Sequence, residues 1–334
     1  LFGLEREDRR RGISFVAENK TRNMKAIVLQ DFGGVDQLQQ VELPTPEIKE
    51  GEVLVEVKAI SINPVDVKTR QGRGAAERFK DTAVKILGWD ISGVVKESNS
   101  LLFEPGDEVF GMVNYPGVGK AYAEYVAAPA DQLALKPAGV SHPVAAAATL
   151  AALTAWQAFN DFGKLKAGQR VLIHAAAGGV GHFAVQMAKY IGAYVIGTAS
   201  AENREFVLGL GVDEFIDYKT QDVGAVAHDV DLVLDTLGGD NIDTSLRTMK
   251  KGAKIVSIPS GLNEKVKEKA EAAGKIGMTM KVQSSGEDMQ HIAQLLEDGD
   301  IRPEVSNLFP LEKMGAAHLQ VETHKTRGKT IVTV

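Results

Sequence analysis

From residue 170 onward the apolar positions change period at short intervals. Val171, Leu172 and Ile173 form a continuous apolar run that reads as a buried strand. A turn of small residues follows at 175–181. Val180, Ala184, Met187, Ala188 and Ile191 then recur on one helical face, and residues 194–197 read as a second strand. Further strands are predicted at 215–217, 230–234, 253–258 and 277–282, with helical spacing at 242–249 and 262–273. Strands alternating with helices in this way predict an α/β fold with a doubly wound parallel sheet.

Upstream the period differs. Residues 24–141 show short strand-like runs at 24–29, 53–59, 91–96, 108–112 and 121–127, punctuated by turns such as Pro105-Gly106-Asp107. This pattern predicts a compact, partly open barrel. The polar stretch 73–85 reads as a short helix or a loop over a cleft. The alanine-rich run 144–159 predicts one helix bent near Thr149. Beyond 286 the pattern gives a helix at 289–296, strand character at 301–308, a helix at 314–321 and a strand at 330–334, a tail expected to rejoin the first domain. The cleft would then lie between domains, near the C-terminal ends of the parallel strands. The expected divisions are an extension at 1–23, a catalytic domain at 24–142, a dinucleotide domain at 143–285 and a bridging segment at 286–334. Residues 1–23 show no sustained periodicity, and Met24 reads as the natural start. A basic targeting peptide is the alternative reading of that extension, against which stand Glu5, Glu7 and Asp8.

Composition narrows the classes. The 334 residues suffice for two domains, and the formal net charge of −6 favours neither nucleic acid nor membrane as partner. No apolar run is long enough to span a bilayer. There is no cysteine, which excludes disulfides, thiolate chemistry and cysteine-ligated zinc. This composition fits a cytoplasmic protein.

The turn between the first two parallel strands carries the clearest chemistry. It reads Ala176-Ala177-Gly178-Gly179-Val180-Gly181, a G-x-G-x-x-G pattern with alanine in the first glycine position. Gly178 would let the backbone approach a pyrophosphate, Gly181 would let the helix pack closely on the strand, and free amides at the helix start would hold phosphate. An NAD site places an acid about 20 residues on, to meet the ribose 2′-hydroxyl. Here the second strand ends Gly197-Thr198-Ala199-Ser200 without one. Ser200, Asn203 and Arg204 supply hydroxyl, amide and guanidinium donors suited to a 2′-phosphate, and Tyr218 would flank the adenine or reach the same phosphate. The expected cofactor is therefore NADPH. A solvated helix start with Arg204 paired to a neighbouring acid is the plainer alternative.

Several ordered segments carry a family resemblance: GEVLVEVKAISINPVD (51–66), LGWDISGVV (87–95), PGDEVFG (105–111), AYAEYV (121–126), LTAWQAF (153–159), AAAGGVGHFAVQMAKYIGA (175–193), LGVDEFIDY (210–218), DTLGG (235–239) and HKTRGKTIV (324–332). Over residues 24–334 the chain resembles the medium-chain dehydrogenase/reductase superfamily, in its zinc-free quinone oxidoreductase and enoyl reductase branch. That resemblance implies a GroES-like catalytic domain beside a Rossmann domain, NADPH in the cleft, and reduction of a quinone or of an α,β-unsaturated carbonyl compound. A homodimer is also implied. Asn63-Pro64-Val65-Asp66 stands where the zinc alcohol dehydrogenases place a cysteine ligand, and Trp89-Asp90 where their His-Glu pair sits. The seven histidines form no ligand cluster in sequence, and His174 and His182 read as core or helix-start residues. No metal is expected. Thr154 matches the family threonine near the nicotinamide. Arg327, Gly328 and Lys329 match its terminal motif, where a basic residue can meet the cofactor phosphates. After the fourth and fifth parallel strands, Thr236, Leu237 and Gly238 and then Ser257, Ile258 and Pro259 should pass beneath the cofactor.

Without a metal the cofactor supplies most of the chemistry, and the protein supplies orientation and donors for the negative charge that develops on the substrate oxygen. Asn63 is the first candidate donor, through its side-chain amide; equally, it caps the turn before Pro64. Lys68 and Tyr115 are further candidates, Tyr115 as a wall or a proton donor. Asp66 reads as structural, being ionised at neutral pH if unperturbed. Trp156 reads as core packing. The rival functions are a zinc alcohol dehydrogenase with unusual ligands and a non-catalytic nucleotide-binding structural or sensor protein.

Overall fold

The computed structural model describes residues 23–334. The extension expected at 1–23 lies outside the described residues except for Asn23, which opens the first strand, Asn23–Leu29.

Six parallel strands make the sheet that carries the glycine turn. Across the sheet they lie in the order Glu214–Asp217, Tyr194–Ala199, Arg170–Ile173, Val230–Asp235, Met249–Ser257 and Ile276–Thr279, so that numbered along the chain they read 3-2-1-4-5-6. The order reverses beside the first strand, which opens a crevice at the carboxyl ends of the first and fourth strands. The two central strands, Arg170–Ile173 and Val230–Asp235, are buried on both faces. That is why they read as continuous apolar runs rather than alternating ones.

The other large sheet is mainly antiparallel and runs Val305–Pro310, Lys329–Thr333, Glu52–Ile62, Asp90–Ser98, Glu108–Met112 and Leu133–Leu135, with Tyr125–Pro129 paired to the long strand Glu52–Ile62. Asn23–Leu29 and Leu38–Pro44 form a separate hairpin over its end. The chain terminus is woven into this sheet: Ile331 pairs with Ser61 and Thr330 with Ile62. Trp89, Phe79, Phe110 and Tyr122 are fully buried within the antiparallel half, and Phe159 and Phe183 within the parallel half.

The alanine-rich run differs from a single bent helix. It divides into helices His142–Ala147 and Leu150–Gln157, followed by one wide turn at Ala158–Gly163. The break falls at Thr149, whose backbone leaves the helical region (φ −110°, ψ −106°) while its hydroxyl donates to Ala146 O at 2.7 Å. The glycine-turn helix, Gly181–Ile191, is buried nearly all round, with His182, Phe183, Val185 and Gln186 enclosed as well as the predicted face. Residues 73–85 contain one short turn of helix, Ala76–Phe79. The strand expected at 121–127 begins only at Tyr125, and that at 301–308 only at Val305. Two strands and two helices escaped the pattern: Leu38–Pro44, Leu133–Leu135, Pro64–Arg70 and Val223–Val226.

Candidate active site

A cleft of about 410 Å³ opens between the two sheets. One wall is the glycine turn with Thr236, Leu237, Ile258 and Pro259. The opposite wall is Asn63, Lys68 and Tyr115, and Thr154, Gly328 and Lys329 close it between them. The glycine turn is shaped by two tight approaches. A Cβ on Gly181 would lie 2.1 Å from Ala175 O, so only glycine lets the helix start this close to the strand. The left-handed residue is Ala175 (φ 48°), one position before the alanine that takes the first glycine place of the motif. The backbone amides of Gly179 and Val180 have no protein acceptor among the described residues and sit at the helix start. Two free amides at a helix N-terminus facing a cleft fit a cofactor pyrophosphate.

The loop below that site is locked by one carboxylate. Asp235 accepts from the amides of Leu237 (3.1 Å) and Gly238 (2.9 Å), from Asn241 Nδ2 (3.0 Å) and from Ser257 Oγ (2.5 Å). This corrects the expectation for Ser257: its hydroxyl is held by Asp235, its carbonyl accepts from Asn263 Nδ2 at 2.7 Å, and it does not line the cleft. Gly238 also lies off the cleft, at φ 71° with Leu262 O 2.7 Å from where a Cβ would be, so its glycine serves the turn. Thr236 reaches the cleft and its hydroxyl donates to His174 O at 2.9 Å. Ala177 is buried and its carbonyl accepts from Gly328 N at 2.9 Å, which staples the chain terminus to the glycine turn.

Outside the cleft, Ser200 follows the strand Tyr194–Ala199 and accepts from Asn203 Nδ2 at 3.2 Å. Arg204 is exposed, with its guanidinium 5.1 Å from the Phe215 ring. Arg327 lies over Phe206, two residues further along the same helix, at 5.0 Å, and pairs with Glu304 at 3.2 Å. Tyr218 is exposed just past the strand Glu214–Asp217. These five side chains flank one rim but do not line the enclosed cleft. Glu202 points to Lys219 at 3.6 Å and is exposed.

The catalytic-domain wall differs more from expectation. Asn63 is buried and engaged at every polar atom. Its Nδ2 donates to Asp90 Oδ2 at 2.7 Å and to Ser61 O at 3.3 Å, and its Oδ1 accepts from Lys329 Nζ. The expected free amide donor is therefore absent; Asn63 is a rigid link. Its backbone amide donates to Asp66 Oδ2 at 2.7 Å, a capping box for Pro64–Arg70. Asp66 does hold the loop, but not as an ordinary carboxylate, because burial pushes its pKa up to about 8. Burial likewise lifts Asp90 to about 6. Lys68 spans the cleft and donates to Ser260 O at 3.1 Å, its pKa lowered by partial burial and by Arg73. Tyr115 packs edge-on to Trp89 at 5.4 Å and burial raises its pKa. Its loop is tied to the other domain where Tyr115 N donates to Ser284 Oγ at 2.9 Å. Thr154 lines the cleft, and its hydroxyl proton goes to Leu150 O at 2.6 Å. Lys329 was expected at the phosphates, yet its amine is held by Asn63 and by Ile62 O at 3.2 Å.

Among the described residues no three His, Cys, Asp or Glu side chains gather as metal ligands. Trp89 fills its position as core, its Nε1 donating to Gly117 O at 2.9 Å. His174 bonds Thr198 and Ser245 within the parallel sheet, and burial drives its pKa down to about 4. Trp156 stacks on His291, 4.0 Å between ring centres, away from the cleft. Met280, Lys281, Val282 and His324 also line the cleft, and nothing in their local sequence marks them as site residues. Their approach depends on how the two sheets dock.

Residues 49–138 match the family model for the alcohol dehydrogenase GroES-like domain, and residues 210–332 that for zinc-binding dehydrogenase. The chain is 34% identical to NAD(P)H oxidoreductase RTN4IP1, mitochondrial, of Bos taurus, over 93% of this chain and 89% of that protein. It is 32% identical to the NADPH-dependent alkenal/one oxidoreductase, chloroplastic, of Arabidopsis thaliana, over 93% of this chain and 80% of that protein. The solved structure of the quinone oxidoreductase from Coxiella burnetii superposes with a TM-score of 0.89 at 38% identity, covering 94% of this chain and 100% of that one.

Proposed function

Because this chain belongs to the medium-chain dehydrogenase/reductase superfamily, in its zinc-independent quinone oxidoreductase and enoyl reductase-like branch, we propose that it reduces a quinone or the carbon–carbon double bond of an α,β-unsaturated carbonyl compound, using NADPH. The observation that carries the reading is the cleft itself. Free glycine-turn amides stand on one wall, a buried ammonium and polar side chains on the other, and among the described residues no ligand set for zinc lies between them.

When bound, the nicotinamide supplies hydride. The chain's own residues do the rest. Gly179 and Val180 amides hold the pyrophosphate. Asp235 fixes the Leu237–Gly238 backbone below the cleft. Ser200, Asn203, Arg204, Tyr218 and Arg327 favour a 2′-phosphate at a strand end that bears no carboxylate to receive a 2′-hydroxyl. Tyr115, Leu150, Met280 and Val282 form an apolar wall that orients a flat unsaturated substrate and excludes water.

No helix among the described residues is long and apolar enough to cross a membrane. A homodimer belongs to the same proposal: Val305–Pro310 is an edge strand with one side unpaired among the described residues, and Leu308 on it is exposed. Sedimentation of the purified protein tests it. A screen of NADPH oxidation against matched quinones and enones, with the reduced carbon identified, tests the activity. NADPH binding without hydride transfer to either acceptor class would sink the reading and leave a nucleotide-binding protein.

A further inference from the structure

We propose that Lys329 is the acid of this reduction: its buried ammonium lies at the cleft and gives a proton to the substrate as hydride arrives, while Asn63 and Asp90 position it. The inference rests on the quinone or enone reductase reading above.

Lys329 is 3% exposed yet lines the cleft. Its methylene stem lies over the glycine turn, with Cδ 3.4 Å from where a Gly179 Cβ would stand. The amine reaches past the turn to the catalytic-domain wall, where it donates to Ile62 O and Asn63 Oδ1. A lysine serving the pyrophosphate would keep its amine among the turn amides; here only the stem is there. An ammonium has three hydrogens, and two are engaged by protein. Among the described residues Lys329 makes no direct ion pair. A buried cation whose direct partners are two neutral oxygens is held beside the cleft, where an anion forms during turnover.

The balancing charge stands one residue away. Asn63 joins the amine to Asp90, and Asp90 Oδ1 is itself fixed by the Leu150 amide at 3.1 Å. The titratable groups facing the amine are Asp90 from the strand Asp90–Ser98, Asp66 from the helix Pro64–Arg70 and His182 from the glycine-turn helix. Burial lowers the amine's pKa, and Asp90 opposes that shift most. His182, which burial takes down to about 4, is neutral. An ammonium weakened by burial but kept charged by Asp90 is a better acid at neutral pH than a solvated lysine.

The step balances. Hydride adds to the β carbon of the enone, and the double-bond pair moves to give the enolate. An N–H bond of Lys329 breaks as a C–H bond forms at the α carbon. The neutral amine regains a proton from water when product leaves. With a quinone the proton goes to the oxyanion.

The test compares Lys329→Met and Asp90→Asn with wild type in three measurements: NADPH affinity by fluorescence, enone or quinone reduction across pH, and NMR titration of ¹⁵N-labelled lysine amines in the unliganded protein. Lys329→Met is expected to hold NADPH affinity within about 3-fold and to lower kcat about 100-fold or more. Asp90→Asn removes the charge that keeps the amine protonated, so the basic limb of the kcat profile and the Lys329 titration both move to lower pH. A Lys329→Met variant that loses NADPH affinity about 30-fold but keeps kcat at saturation overturns the proposal in favour of a phosphate-binding lysine. If Lys329→Met does not fold, Asp90→Asn decides: an unmoved basic limb and titration overturn the proposal. A wild type inactive on both substrate classes sinks the functional reading itself, whereas an active wild type matched by Lys329→Met sinks the lysine assignment alone.

Discussion

Gly181→Ala tests whether the helix start is held by backbone contact. The added methyl would lie 2.1 Å from Ala175 O and 2.8 Å from both Ala175 C and Ala176 Cα. All three are main-chain atoms of the preceding turn, so no side chain can rotate away. A carbon needs about 1 Å more than that from a carbonyl oxygen to approach ordinary contact distances. The helix Gly181–Ile191 would have to retreat by about that much, and it is enclosed by Phe183, Val185 and Met187 packing. Overpacking of a tight interior costs about 1–3 kcal/mol, and the absence of a flexible neighbour puts this site at the upper end. The same retreat lengthens the reach of the Gly179 and Val180 amides to the pyrophosphate. Hydrogen bonds to a charged group contribute about 1.5–3 kcal/mol each, so losing half of two such bonds weakens NADPH by about 2 kcal/mol, roughly 30-fold. The measurements are urea unfolding and fluorescence titration with NADPH, with Gly139→Ala as the control. Gly139 has nothing within 4 Å of its added methyl and should change stability by no more than about 0.5 kcal/mol. If Gly181→Ala unfolds and binds like Gly139→Ala, the close-packed helix start is refuted.

Three further outcomes are expected. Arg204→Ala should weaken NADPH about 10-fold and leave NADH unchanged, since an exposed guanidinium at the strand end can discriminate only through the 2′-phosphate; equal losses for both cofactors would contradict that placement. Asp66 has a folded pKa of about 8 against an ordinary 3.8, so the native state holds a proton the unfolded chain lacks between those values. Its contribution to stability is therefore full below about pH 4 and is lost as pH rises through 8. Asp66→Asn, which keeps an oxygen for the Asn63 amide, should flatten that decline in urea unfolding series; an unchanged slope would refute the buried neutral carboxyl. Tyr115→Ala removes an aromatic face packed on Trp89 at 5.4 Å and should raise the substrate KM about 10-fold through lost wall contact; an unchanged KM across quinones and enones would place the substrate elsewhere.

What the chain order reveals depends on whether a residue's partner is near in sequence. Residues 171–173 and 230–234 could be read as buried parallel strands because both faces are covered and the apolar run is unbroken. The strand Leu38–Pro44 could not, since four of its seven residues are exposed and its partly buried positions include only three apolar residues. The kink near Thr149 was visible, but its severity was not. A full break between helices requires the backbone turn at Thr149, and Leu150 N then finds Asp90, 60 positions away. The rim residues Ser200, Asn203 and Arg204 lie within one turn of a strand end and could be placed from local pattern alone.

The catalytic wall shows the opposite case. In sequence, Asn63 is an amide before a proline and Lys329 a basic residue in a terminal motif. Only the pairing of Lys329–Thr333 with Glu52–Ile62 brings the two together, across 266 positions, and there the lysine occupies the oxygen of the amide that had been the expected donor. The sequence alone determined the parallel sheet, the glycine turn and the absence of cysteine ligands, because period, turn chemistry and composition are local properties. The tertiary structure decided which side-chain donors at the cleft are already engaged and which carboxyls are pushed to hold a proton. Burial and hydrogen bonding set both, and they exist only once the distant strands have packed together.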